Sequence, residues 1–123
     1  MAKIVIAEDD VTSRAVLVKG VELMGHTAIQ CSDGLRAYYI VQDNPDIDML
    51  ITDMMMPNID GRELIERVRS NEKFSALPIL IISGAVGPKA IRDLLKLGAT
   101  AFMGKPVGLE ELSEYVGKYL ESS

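Results

Sequence analysis

Cysteine is almost absent from this chain. Cys31 stands alone among 123 residues, which excludes an intrachain disulfide and a cysteine-rich metal site. A reducing, cytoplasmic setting fits that usage. Long apolar runs are missing as well. None approaches the roughly 20 residues of a membrane span, and the N-terminus lacks a signal peptide's apolar stretch. Basic charge is in deficit: 13 Lys and Arg face 18 Asp and Glu, a formal net charge of -5. A nucleic-acid-binding surface clusters Lys and Arg instead. Internal repeats, low-complexity tracts and linkers are also lacking. With 48% hydrophobic and 25% charged residues, the chain reads as one soluble domain over 1–123, long enough to bury a real core.

Apolar runs and Gly/Pro punctuation divide it into ten elements. Strand 1 is Lys3–Ala7, apolar on both faces and therefore central in a covered sheet. Helix 1 spans Val11–Met24, with Leu17, Val21 and Met24 as its stripe and Gly25 as its stop. Strand 2 is His26–Cys31. Helix 2 is Leu35–Gln42, capped by Ser32 or Asp33, with Ala37, Ile40 and Val41 inward. Strand 3 is Asp48–Asp53. Helix 3 runs from Gly61 to Ser70 behind an Asp60 cap. Strand 4 is Pro78–Ser83. Helix 4 starts at Pro88 and stops at Gly98; Ile91, Leu94 and Leu95 are its apolar residues. Strand 5 is Ala101–Gly104. Helix 5 is Leu109–Leu120, with Leu109, Leu112, Val116 and Leu120 on one face. Alternating strands and helices predict an α/β, flavodoxin-like (βα)5 fold, a doubly wound parallel sheet of strand order 2-1-3-4-5.

In such a sheet ligands bind past the carboxyl ends of the strands, at the switch point between strands 1 and 3. Asp9 and Asp10 follow strand 1 and Asp53 ends strand 3. Ser83 ends strand 4, and Lys105 follows strand 5. Crowded carboxylates repel unless a cation balances them. An all-oxygen set suits Mg²⁺, which keeps several waters and shares phosphate oxygens. Lys105 supplies a point charge for a phosphoryl oxygen, and Ser83 a hydroxyl donor. Together they suit an acyl phosphate on Asp53. Taken singly, each has a plainer role. Asp9 or Asp10 would cap helix 1, Ser83 would be a turn hydroxyl, and Lys105 a solvated surface lysine.

These residues carry a family resemblance. Glu8-Asp9-Asp10 after strand 1, Asp53 with Met55-Met56-Pro57 and Asp60-Gly61, Ser83-Gly84, and Lys105-Pro106 resemble the receiver domain of two-component response regulators (CheY-like). The likeness covers essentially the whole chain, and the gaps from Asp53 to Ser83 and from Ser83 to Lys105 match as well. The resemblance implies that Asp53 is the phosphoacceptor. It implies that Asp9, Asp10, Asp53 and the backbone carbonyl of Met55 hold Mg²⁺, and that Ser83 and Lys105 contact the phosphoryl group. It also implies a cis bond between Lys105 and Pro106, and a switch in which Ser83 and Phe102 move together. Phe102 reads equally as an ordinary core aromatic.

By the same resemblance, a sensor histidine kinase or histidine phosphotransfer protein donates the phosphoryl group. The face of helix 4, strand 5 and helix 5 then answers to a downstream protein, the chain being a monomer or weak dimer. Met55 and Ala85, two residues beyond Asp53 and Ser83, cannot position a water. No output domain is expected after helix 5, where Ser122-Ser123 close the sequence. Three readings compete. A Mg²⁺-dependent phosphohydrolase places a second acid where Met55 stands. A flavodoxin-like cofactor binder wants a Ser/Thr/Gly-rich loop where the acids stand. A phosphorylation-independent interaction module needs none of these groups.

Overall fold

Short β-branched runs become strands because their side chains pack on both faces of a pleated sheet. The computed structural model describes residues 1–84 and 86–121, the last as backbone only. The expectations placed on Ala85 and on Ser122-Ser123 lie outside the described residues. The strands are β1 (Lys3–Ala7), β2 (Thr27–Cys31), β3 (Met49–Asp53), β4 (Ile79–Ser83) and β5 (Ala101–Gly104). They are parallel, in the order β2-β1-β3-β4-β5. The helices are α1 (Val11–Leu23), α2 (Gly34–Asp43), α3 (Gly61–Arg69), α4 (Pro88–Leu97) and α5 (Leu109–Glu121). Every element matches its sequence expectation within a residue or so at each end. A 3-10 turn at Glu72–Phe74 was not foreseen. No described helix is long and apolar enough to cross a membrane.

The period of two along each strand splits the core into two layers. Ile4, Ile6, Met49, Ile51, Leu80, Ile82 and Met103 face α1 and α5, where Leu17, Val21, Leu112 and Val116 meet them. Val5, Ala7, Leu50, Ile79 and Ile81 face the opposite way, onto Ala37, Val41, Leu64, Ile65, Val68 and Leu94. Two apolar residues of the helical stripes stay largely exposed: Leu95 at 42% and Leu109, which reaches toward Gly20 of α1, at 47%. The stripe on α4 is therefore narrower than its sequence suggested, with Leu94 its one buried residue among those described. Between α1 and α5 the approach is close. A Cβ on Gly20 would lie 2.6 Å from Leu112 Cδ2.

Caps fix where the helices begin. Asp10, Asp33 and Asp60 accept from the third amide onward at α1, α2 and α3, at 2.8, 2.7 and 2.9 Å. The far end of α4 is held differently. Gly98 closes it at φ 127, and the Gly98 carbonyl accepts from Arg69 Nε and Nη2 at 3.0 and 2.8 Å. Arg69 Nη1 donates to the Phe74 carbonyl at 2.6 Å. One half-buried guanidinium thus ties α3, the 3-10 turn and the end of α4 together. Arg69→Met, which keeps the apolar stem, should lower the unfolding free energy by about 2–3 kcal/mol in urea melts, because buried carbonyls lose a charged donor. Arg69→Lys should restore less than half, since an ammonium cannot reproduce the fork.

Candidate functional site

Strand parity decides which side chains meet. Residues 4, 6 and, by continuation, 8 share one face of the sheet, as do 49, 51 and 53, and 101, 103 and 105. Ala7 pairs in register with Thr52, so the next step sets Glu8 level with Asp53. Glu8, Asp53 and Lys105 therefore converge on the α1/α5 side, at the carboxyl ends of β1, β3 and β5. Lys105 Nζ lies 2.6 Å from Glu8 Oε1 and 2.7 Å from Asp53 Oδ2. Glu8 is fully buried and Asp53 nearly so.

Asp53 is oriented by its own loop. Its Oδ1 accepts from the Met54 amide at 2.7 Å and, more loosely, from the Met55 amide at 3.4 Å. The Glu8–Asp10 turn is fixed from α1, where Arg14 Nη1 donates to the Glu8 carbonyl at 2.8 Å. Glu8 Oε2 accepts from the Asp10 amide at 3.1 Å. Ser83 is buried at the end of β4. By parity it faces the other side of the sheet, the side on which half-buried Phe102 packs. The Lys105 amide donates to the Ser83 carbonyl at 3.0 Å, and the Lys105–Pro106 bond is cis.

The acids sort differently from the sequence expectation. Carboxylate oxygens of Glu8, Asp9 and Asp53 all lie within 4.8 Å of one another. Asp10 is not in this group. Its Oδ2 accepts from the Ser13 amide at 2.8 Å as the cap of α1, and that bond holds its carboxyl below the usual range. Glu8 takes the place that the sequence reading gave to Asp10. The missed signal was twofold: the period of two on β1 carries position 8 to the buried face level with Asp53, and position 10, just before α1, is taken up as its cap.

The electrostatics are those of a site short of positive charge. Burial pushes the Glu8 carboxyl above its ordinary value and the Asp53 charge adds to this; Lys105 and the Asp10 amide oppose. For Lys105, burial pulls its ammonium down, but Asp53 and Glu8 outweigh that and hold it above its usual value. One ammonium serves two carboxylates, with Asp9 beside them. This all-oxygen donor set, exposed at Asp9 and closed beneath by Glu8, fits a hard divalent cation.

A pH consequence follows for the metal-free protein. A carboxyl raised on folding binds its proton in the native state first, so its ionisation destabilises the fold as pH rises through the raised value. Glu8→Gln should therefore be more stable than wild type at pH 7 in the presence of chelator. That gap should narrow as pH falls toward 4.5, the ordinary Glu value. Thermal melts across pH would show it; a gap that widens on acidification would contradict it.

Comparison with known proteins agrees with this geometry. The family model described as "Response regulator receiver domain" matches residues 4–117. A chemotaxis protein CheY homolog of Campylobacter jejuni is 28% identical over 113 residues, 91% of this chain and 87% of that protein. The two-component response regulator ORR11 of Oryza sativa subsp. indica is 30% identical over 117 residues, 94% of this chain and 80% of that protein. Among solved structures, the chemotaxis response regulator CheY4 of Vibrio cholerae superposes with a TM-score of 0.90 at 25% identity, covering 97% of this chain and 98% of that one. The acids lie where the sheet reverses its order, and the family match runs through all five strands. The chain belongs to the response regulator receiver domain family.

Proposed function

We propose that residues 1–123 form one receiver domain, acting in the cytoplasm as a phosphorylation-dependent switch with Asp53 as its phosphoacceptor. The observation that carries this reading is the convergence of Glu8, Asp9 and Asp53 around the Lys105 ammonium. Mg²⁺ would be held by Glu8, Asp9, Asp53 and the Met55 backbone carbonyl. When bound, it offsets negative charge on the carboxylates and on the incoming phosphoryl oxygens.

The donor is a phosphohistidine on a sensor kinase or phosphotransfer protein. An Asp53 oxygen attacks phosphorus, the P–N bond breaks, and the imidazole nitrogen keeps the electron pair. The Met54 amide, 2.7 Å from Asp53 Oδ1, orients the attacking carboxylate. Lys105 exchanges part of its contact with Glu8 and Asp53 for a phosphoryl oxygen, and Ser83 donates its hydroxyl to another. Drawing Ser83 toward the site vacates space on the α4 side, into which Phe102 turns. The altered face of α4, β5 and α5 is what a downstream protein reads. Phe102 carries no hydroxyl, so the switch works through packing.

Two outcomes are expected. Intact mass should rise by one phosphoryl group on incubation with Mg²⁺ and acetyl phosphate. The gain should vanish in Asp53→Ala, in Asp9→Asn and on chelation, but persist in Asp10→Ala, whose loss is confined to helix stability. Retention in Asp53→Ala would refute the acceptor, and loss in Asp10→Ala would return that residue to the metal. The second outcome concerns lifetime. Met55 is 69% exposed at the mouth of the site and offers no hydrogen bond to a water. Met55→Asn or Met55→Glu should shorten the phosphoryl lifetime severalfold in a radiolabel or mass time course; an unchanged rate would contradict it.

A further inference from the structure

We propose that Gly34, on a different strand-to-helix unit from the phosphoacceptor, is a positioning residue for the site: its missing side chain sets the height of the β3–α3 loop that orients Asp53. The proposal rests on the reading of Asp53 and its acids given above.

The loop runs from Met54 to Asp60 and is held at both ends. The Met54 amide donates to the Ile82 carbonyl at 3.1 Å, and the Gly61 amide donates to the Met54 carbonyl at 2.7 Å. Gly61 leaves no slack, because a Cβ there would lie 2.8 Å from the Asp53 carbonyl oxygen and 3.0 Å from Met54 Cα. Asn58 turns the chain at φ 70, a left-handed conformation Asn tolerates. Ile59 then drives its side chain into the core and is 6% exposed. With the side chain anchored, the Ile59 carbonyl has one direction left, and it rests on the first residue of α2.

That residue is Gly34. A Cβ there would lie 2.3 Å from the Ile59 carbonyl oxygen, 2.8 Å from Ile59 Cγ1 and 3.1 Å from its carbonyl carbon. To reach even 3.0 Å, loop or helix must move by about 0.7 Å, beyond the roughly 0.5 Å within which a functional constellation has to be held. The helix is not free to yield. Asp33 caps it through the Arg36 amide at 2.7 Å, and Ala37 and Val41 are buried beneath it. The loop yields, and it carries the Met54 and Met55 amides that hold Asp53 Oδ1, together with the Met55 carbonyl assigned to the metal. Gly20 is the contrasting case, since a Cβ there meets only side-chain atoms, Leu112 Cδ2 at 2.6 Å and Leu109 Cδ2 at 3.2 Å, which can rotate away.

The test is a ¹H–¹⁵N spectrum of wild type, Gly34→Ala and Gly20→Ala, first with chelator and then through a Mg²⁺ titration. Gly34→Ala should shift the Met54 and Met55 amide resonances in the metal-free protein and weaken Mg²⁺ binding by about tenfold. Gly20→Ala should lower the melting temperature yet leave those resonances and the Mg²⁺ affinity within about twofold of wild type, so that lost stability alone is not the cause. A folded Gly34→Ala with unmoved Met54 and Met55 amides and wild-type affinity would overturn the proposal. If Gly34→Ala does not fold, Ile59→Ala removes the side-chain anchor that aims the Ile59 carbonyl at Gly34; wild-type amide positions and affinity there would overturn the proposal equally. If wild type itself binds no Mg²⁺, the reading of the acids fails, while the metal-free shifts still decide whether Gly34 sets the loop.

Discussion

The ammonium of Lys105, 2.6 Å from one carboxylate and 2.7 Å from another, is the contact on which the carboxyl end of the sheet depends. Two carboxylates within 4.8 Å of each other repel by about 3.5 kcal/mol or more at an effective dielectric of about 20. That is a large share of the ~5–15 kcal/mol that holds a small domain together. The sheet keeps them together because their strands are locked in register from Ile4 to Asp53 by apolar packing on both faces. With Asp9 beside them, the fold thus stores a site that is two positive charges short. Anything bringing a hard cation there stabilises the fold as it binds.

Much of this is legible in the sequence alone. The strands and the sheet order followed from apolar runs of five or six residues set between amphipathic stretches, and the helix starts from Asp33, Asp60 and Pro88. What misled was the run Glu8-Asp9-Asp10, whose three acids look alike. Composition cannot say which of them sits on the last pleat of a strand and which on the first turn of a helix. Two local rules separate them. Parity along Ile4 and Ile6 carries Glu8 to the buried face, and the residue before Val11 must cap α1, which commits Asp10 to the Ser13 amide. The exposure of Leu95 and Leu109 was not legible for another reason. A helical stripe predicts a buried side chain only where a neighbour covers it, and coverage is a tertiary fact.

The site also divides between the two faces of the sheet, which was not readable from motif spacing. Glu8, Asp53 and Lys105 point toward α1 and α5, whereas Ser83 and Phe102 belong to the side of α3 and α4. Chemistry and response therefore occupy opposite layers. They are joined at the strand ends, where the Ser83 carbonyl accepts from the Lys105 amide at 3.0 Å. In the switch proposed above, a change in what Lys105 contacts would reach the α4 layer through this one hydrogen bond.

The attachment of α4 gives that layer a direction of movement. Its first residue follows Gly87, which has no side chain to cap the opening amides, and only Leu94 among its residues is buried. Its far end is fastened, with the Gly98 carbonyl gripped by two nitrogens of Arg69 and the Ala99 amide bonded to the Leu94 carbonyl at 3.0 Å. A helix held weakly near Ser83 and firmly at Gly98 does not slide as a unit. In the switch proposed above, a helix displaced from the site end would swing about the Arg69 clamp, with its largest excursion on the turns after Pro88. Exposed Leu95, close to the pivot, would keep its place. The surface that changes most in the switch proposed above is therefore the one nearest the phosphoacceptor. Arg69, which has no role in the chemistry, would determine where that surface begins.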